Sequence, residues 1–207
     1  MIGDTERARD SAFLNIPYDH KYTNLYFAMI AGLCAYGLDP RATLEIASGE
    51  RRLDRIYELM TSCHYSFHDL SRVQLDLTAP RTPRFNMPFE LGLLVGSRMT
   101  KGQTNHNWFV LESVKLRLQK SLSDLNGMDP LIHGGTVTGI FRELCNALVK
   151  HRNKPEVSPM RKIYRSIKKA SPLILERTGA KSPYGARAFR ELVVLATEYA
   201  ERKIPRD

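Results

Sequence analysis

The residue in this chain best placed to do chemistry is Glu90. It lies in the run Asn86-Met87-Pro88-Phe89-Glu90-Leu91-Gly92, where Asn is a good helix N-cap and Pro suits a first turn, so a helix is predicted to open with Glu90 at about its fourth position. There the helix dipole favours the anionic carboxylate. At the mouth of a crevice such a group can attack, or electrostatically stabilise, the anomeric carbon of a ribosyl group as oxocarbenium character develops. Acidic residues also occupy first turns for helix stability alone, so the assignment depends on what surrounds Glu90.

The surroundings follow from the elements. An apolar run at 12–16 ends at Pro17 and is followed by a polar turn and a stretch, 25–36, that is apolar almost all round. This reads as strand, loop and buried helix, with core burial favoured over burial against another subunit. Further strands are expected at 42–46, 65–69 and 108–112, with a short fifth near Leu131-Ile132. A turn is read at Ser48-Gly49-Glu50. Helices are expected at 52–63, 87–98 and 114–125, the last stopping at Asn126-Gly127. One more is marked by the stripe Val137, Ile140, Phe141, Leu144 and Leu148. Alternating strands and helices imply an α/β fold, a Rossmann-like or flavodoxin-like parallel sheet of about five strands with helices on both faces. Beyond Pro155 only helices are expected, at 160–169 and 186–202. Residues 1–150 are therefore expected to form an α/β body, and 151–207 a basic α-helical extension that packs on the body or on another subunit.

In the common strand order 2-1-3-4-5, ligands sit at the carboxyl ends of strands one and three, where the order reverses. Two segments would line that crevice. The first is Asn15-Ile16-Pro17-Tyr18-Asp19-His20; the second runs from Asp69-Leu70-Ser71-Arg72 to Pro83-Arg84-Phe85-Asn86 and Glu90. Arg72, Arg81 and Arg84 bracket a long loop, and guanidinium groups there would grip a phosphate in bidentate fashion, or else form an ordinary basic surface loop. Tyr18 can stack on a base and Asp19 can bind sugar, although Pro-Tyr-Asp is also a common turn. Neither GxGxxG nor GxxxxGK[ST] is present, which excludes standard dinucleotide and Walker-type phosphate loops.

The string from Ser66-Phe67-His68-Asp69-Leu70-Ser71 to Asn86-Met87-Pro88-Phe89-Glu90-Leu91-Gly92 resembles a family pattern. In it a strand ends in Asp-hydrophobic-Ser and a loop leads to Asn-x-x-Phe-Glu-Leu-Gly opening the next helix. The pattern is similar to that of the superfamily joining nucleoside 2-deoxyribosyltransferases to Toll/interleukin receptor (TIR)-like domains that bind nucleotides or cleave NAD. The run beginning Pro83-Arg84-Phe85 also resembles a group of uncharacterised bacterial proteins. The resemblance implies catalysis by Glu90 at the sugar carbon of an N-glycosidic bond, with Asp69 orienting ribose hydroxyls and Asn86 positioning the sugar or capping the helix. It implies NAD, a nucleotide or a nucleoside as substrate or ligand, no required cofactor, and a setting in bacterial defence or signalling. Strand one departs from the transferase pattern, with Asn15-Ile16-Pro17-Tyr18-Asp19 where small-residue turns are usual. A sensing module that binds without turnover is the alternative.

Composition sets the remaining bounds. The 207 residues carry 31 Lys+Arg against 22 Asp+Glu, a net charge of +9, with 43% apolar content. Residues 151–207 hold 14 Lys+Arg and 6 Asp+Glu, leaving 17 and 16 for the body. Nearly all the excess charge therefore lies in the extension. Such a run is ordinarily a solvated helical face, so nucleic acid is a less favoured partner through 151–207 than a nucleotide in the crevice. No run of about 18 apolar residues occurs, and the charged start MIGDTERARD does not read as a secretory signal. The expectation is a cytoplasmic protein without membrane partners, able to form a homo-oligomer. Cys34, Cys63 and Cys145 show no ligand spacing and read as buried thiols in a reducing compartment. His64 and His68 straddle a helix end and a strand, so no metal site is expected, and His68 reads as a core histidine.

Overall fold

The computed structural model describes residues 10–45, 52–72, 79–101, 106–125 and 127–203. Strands β1 (Ser11–Asn15), β2 (Asp39–Ala42), β3 (Tyr65–Asp69), β4 (Asn107–Glu112) and β5 (Leu131–Ile132) make one parallel sheet in the order β2-β1-β3-β4-β5. This is the 2-1-3-4-5 arrangement, with its reversal between β1 and β3. Side chains alternate across the sheet: Ala12 and Leu14 of β1 join one core with Phe67 and Leu111, whereas Phe13 joins another with Ile56, Met60 and Leu94. Helices therefore cover both faces. On one side lie α1 (Thr23–Ala35) and α5 (Val137–Ala147); on the other lie α2 (Arg52–Ser62) and α3 (Asn86–Lys101), with α4 (Arg117–Ser121) near β4.

The C-terminal extension is a helical hairpin, α6 (Val157–Thr178) and α7 (Ala186–Lys203), that packs on α1. Its residues Ile163, Ile167, Phe189 and Leu192 share one apolar core with the sheet and α1. This explains why residues 25–35 of α1 are all buried. A helix enclosed by a sheet on one side and a hairpin on the other has no wet face, so its sequence needs no polar stripe.

Three elements differ from the sequence expectation. The second strand is Asp39–Ala42 rather than 42–46, and Thr43–Glu45 form a 3-10 turn. Pro40 lies within this strand; β2 is a sheet edge, where a missing N–H is tolerated. The helix expected over 114–125 is broken into α4 and a 3-10 turn, Ser123–Leu125, and begins after Leu116, whose φ of 66° is left-handed. The helix expected at 160–169 runs on through Pro172 to Thr178. Its buried stripe continues through Ser171 and Ile174, so packing outweighs the roughly 3 kcal/mol that an interior proline costs, and Pro172 itself faces water. The turn read at 48–50, residues 73–78 of the Arg-flanked loop, and Asn126 lie outside the described residues.

The loop between β5 and α5 is locked by a close approach. Thr136 caps α5 by accepting from the Gly139 N–H at 2.9 Å, and a Cβ on Gly139 would lie 1.8 Å from the His133 carbonyl oxygen. Backbone oxygen cannot move aside as a side chain can. Gly139→Ala is therefore expected to cost about 3 kcal/mol, read as a lower urea midpoint at unchanged m-value. Wild-type stability for this variant would remove the proposed contact.

Candidate functional site

Two carboxylates stand near the reversal point, and their environments differ. Asp69 ends β3, has no exposed surface, and is directed towards the α1 side of the sheet. Its Oδ1 accepts from the Ser71 N–H at 2.8 Å and its Oδ2 from the Tyr22 hydroxyl. His133 Nδ1 accepts from the Gly135 N–H at 3.0 Å, which leaves the ring proton on Nε2. That Nε2 faces Asp69 Oδ2 at 3.2 Å, so its N–H dipole points towards the carboxylate although off the line of a hydrogen bond. Burial pushes the Asp69 carboxyl upward, but His133, Ser71 and Tyr22 outweigh burial and hold it below the ordinary range.

Glu90 has the opposite balance. The helix opens at Asn86 itself, with Phe89 N–H bonding to Phe85 C=O at 2.9 Å, so Asn86 is inside the helix rather than its cap. Glu90 thereby lies a residue deeper than expected, where the dipole is fading. Burial dominates and pushes its carboxyl up to about 7, with the Arg52 cation at the start of α2 opposing the shift. The ionisation expected from the helix dipole is thus reversed in sense. Glu90 also acts electrostatically on Tyr18, whose hydroxyl is raised chiefly by burial and hydrogen-bonds Thr43 Oγ1 at 2.9 Å.

Around these lies a cationic cluster. Asp19 Oδ2 accepts from Arg72 Nε at 3.1 Å and lies 3.5 Å from Arg84 Nη1, while Asp19 Oδ1 caps the Tyr22 N–H at 3.1 Å. One carboxylate therefore holds two guanidiniums on the same side of the β1 end. The C-terminal hairpin closes this edge: Tyr184 donates to the Asp19 carbonyl at 2.7 Å, and its ring lies 5.6 Å from Tyr18 and 4.9 Å from Tyr26. Tyr26 returns a hydrogen bond to the Pro183 carbonyl at 3.1 Å.

Below the site a directed chain of hydrogen bonds runs along the other face of β3. Asn15 Nδ2 donates to the Met87 carbonyl and to His68 Nδ1, each at 3.0 Å. His68 Nε2 then donates to Ser66 Oγ at 2.9 Å, Ser66 donates to His106 Nε2 at 2.8 Å, and His106 Nδ1 donates to the Cys63 carbonyl at 2.7 Å. Following the donors fixes both rings as neutral single tautomers. Burial, followed by the neighbouring His106, lowers His68 to about 3. The chain fastens the first turn of α3 to the sheet, and so sets where Glu90 sits.

Of the residues singled out in the sequence, Tyr18, Asp19, Arg72, Arg84 and Glu90 gather at the reversal point. Asn15, Ser71 and Asp69 lie beneath the surface on internal hydrogen bonds, with Asn15 and Asp69 on opposite faces of the sheet. Asn86 is exposed at the helix opening. Residues not anticipated are Arg52, Thr43, Tyr22, His133 and Tyr184. Arg52 was discoverable, since it opens the helix after strand two; nothing in the spacing marks Tyr184. His68 is a buried histidine with both nitrogens bonded, and no group of three metal-ligand side chains occurs among the described residues. None of the three cysteines is in a disulfide; Cys34 and Cys63 are buried, whereas Cys145, expected to be buried, is half-buried. A separate groove of about 850 Å³ opens between α6, α7 and Glu45, but its Arg177 and Arg190 already face Glu191 and Asp39.

No family model matches this chain, and no curated protein or solved structure matches it. No helix among the described residues is long and apolar enough to cross a membrane.

Two measurements check these electrostatics. Glu90 is raised in the native state, so the native protein binds the extra proton between about pH 4.5 and 7 and loses stability as pH rises through that window. Relative to Glu90→Gln, the wild type should lose about 1–2 kcal/mol in urea unfolding between pH 4.5 and pH 8, a figure discounted for partial solvent screening. Parallel pH profiles for the two proteins would refute the burial of this carboxyl. In ¹⁵N–¹H spectra, His68 should remain a neutral Nε2–H tautomer down to pH 5; titration near 6.5 would contradict the chain.

Proposed function

We propose that the surface beside Glu90, at the carboxyl ends of β1 and β3, binds a nucleotide and that Glu90 acts at the ribosyl anomeric carbon, cleaving or transferring at the N-glycosidic bond. The observation that carries this reading is a half-buried carboxyl pushed up to about 7 on the helix that follows β3, at the strand-order reversal, with Arg72 and Arg84 anchored on Asp19 beyond the end of β1. Open α/β sheets take ligands at this point. Arg72 and Arg84, kept in place by Asp19, supply phosphate donors, and Tyr18 offers an aromatic wall.

Near neutral pH both forms of Glu90 are present. The ionised form can bond to, or stabilise, C1′ as the C–N bond breaks and its electron pair leaves with the base; water then supplies hydroxide to C1′, releasing a proton and, where the bond to Glu90 has formed, displacing the carboxylate with its electron pair. The protonated form can instead assist a leaving purine. Nicotinamide departs from a cationic N-glycoside and needs no such proton, so NAD-like substrates suit a site with one carboxyl. Asp69, surrounded by its own donors, serves here by positioning Tyr22 and Ser71 rather than by touching ribose. The resemblance of the Asp69–Ser71 and Asn86–Gly92 motifs to the deoxyribosyltransferase and TIR-like superfamily supports the same chemistry, as part of a bacterial defence or signalling effector.

A second reading has the crevice sense a nucleotide without turnover, and the seating of Tyr184 on the Asp19 loop favours it by linking the site to the C-terminal hairpin. The two separate on incubation with NAD, NADP, nucleosides and nucleotides, followed by chromatography for released base. Release that falls at least about 100-fold in Glu90→Gln supports catalysis. No release, combined with a nucleotide-dependent rise in Tm that Arg72→Ala removes, supports sensing. Neither result across the panel would overturn both.

A further inference from the structure

We propose that the outer ridge of α6 is a docking surface for the sugar–phosphate backbone of a nucleic acid, separate from the crevice beside Glu90. Residues 150–169 hold eight Lys and Arg against Glu156 alone, so most of the chain's excess charge is concentrated here. The structure shows where that charge goes. Met160, Ile163, Ile167 and Ile174 are buried against the rest of the protein, and turning that stripe inward leaves the cations outside. Lys162, Arg165 and Lys169 are exposed on one line, at spacings of three and four.

Arg161 and Lys168 flank this line. With 3.6 residues per turn, the five cations occupy an arc of about 120° over a rise of about 12 Å. Arg161 reaches Thr138 Oγ1 at 2.9 Å and Lys168 reaches Asn24 Oδ1 at 2.9 Å, so both are held in place by neutral groups and keep their charge unpaired by those contacts. The outer face of α7 is different, since Glu191 and Glu198 alternate there with Arg190 and Arg202.

The chemistry of the ridge selects the partner. A lipid surface is bound by an amphipathic helix that inserts its apolar face, and here that face is already in the core, with only Leu173 exposed beyond the cations. A protein partner needs a desolvated apolar or aromatic anchor, and the aromatic between 161 and 169, Tyr164, already packs against Phe141 and beneath Lys168. A phosphate backbone needs neither. It requires spaced cations that release condensed counterions, and it gains little from apolar surface.

The test is fluorescence anisotropy of the full chain with a labelled 20-base-pair duplex between 50 and 200 mM NaCl. Five contacts at a slope of about −0.9 each predict a loss of about 500-fold in affinity across that range. In Lys162→Ala/Arg165→Ala/Lys169→Ala the same range should cost only about 12-fold, with affinity at 50 mM salt already reduced and the thermal melt unchanged. Should that variant fold poorly, Lys162→Gln alone should lower the slope by about 0.9. Absence of duplex binding at 50 mM salt would overturn the proposal. So would an unchanged salt slope in the ridge variants, tighter binding to vesicles of anionic phospholipid than to the duplex, or loss of duplex binding in Arg72→Ala and Arg84→Ala while the ridge variant binds normally. That last outcome would return the interaction to the site beside Glu90.

Discussion

A carboxylate with no solvent contact stays ionised only where donors surround it, and Asp69 meets this condition by drawing three segments to the end of β3. Tyr22 comes from the β1–α1 connection, Ser71 from the residues that follow β3, and His133 from the loop before α5. None of these loops can shift far without leaving a buried charge short of a partner. The carboxyl edge of the sheet is therefore knit together from beneath. Arg117 extends the same arrangement, donating to the Ser71 carbonyl at 2.7 Å while pairing with the buried Glu112 at the end of β4.

Glu90 shows what happens when such donors do not outweigh burial. Both carboxyls are withdrawn from water, yet one is held below the ordinary range and the other is raised to about 7. Pairs of acidic groups driven apart in this way are a recurring feature of sites where protons move at neutral pH. Here the difference has a division of labour behind it. The ionised member organises backbone and loops; the titrating member is left near the surface, among Tyr18 and Arg52.

Much of the fold was legible because strand alternation and helical periodicity are local signals. Tyr65–Asp69 and Leu131–Ile132 fall where their apolar runs and boundaries place them, and the reversal point follows from the strand order. The misplacements occur where packing overrides local preference. The strand expected at 42–46 lies at 39–42, with Pro40 accommodated in a sheet edge, and the helix expected to end at 169 is carried on through Pro172 by the buried stripe of α6. At the site, Tyr18, Asp19, Arg72, Arg84 and Glu90 were visible as residue types at loop ends. The protonation of Glu90 was not, since it depends on burial, which no spacing encodes. Nor was Tyr184, which arrives from about 165 residues away through the docking of the hairpin on α1.

The edge strand β2 has one more consequence. Asp39 N–H points inward to the Asp10 carbonyl at 2.9 Å, so the alternate nitrogens, those of Pro40 and Ala42, point away from the sheet. Proline brings no hydrogen there, and the Ala42 N–H is already taken by Glu45 Oε1 at 2.9 Å. At the opposite edge β5 offers only two residues. A stray extended chain thus meets no row of open donors along β2 and too short a ledge at β5, which protects the sheet from edge-to-edge aggregation and directs any self-assembly to its helical surfaces.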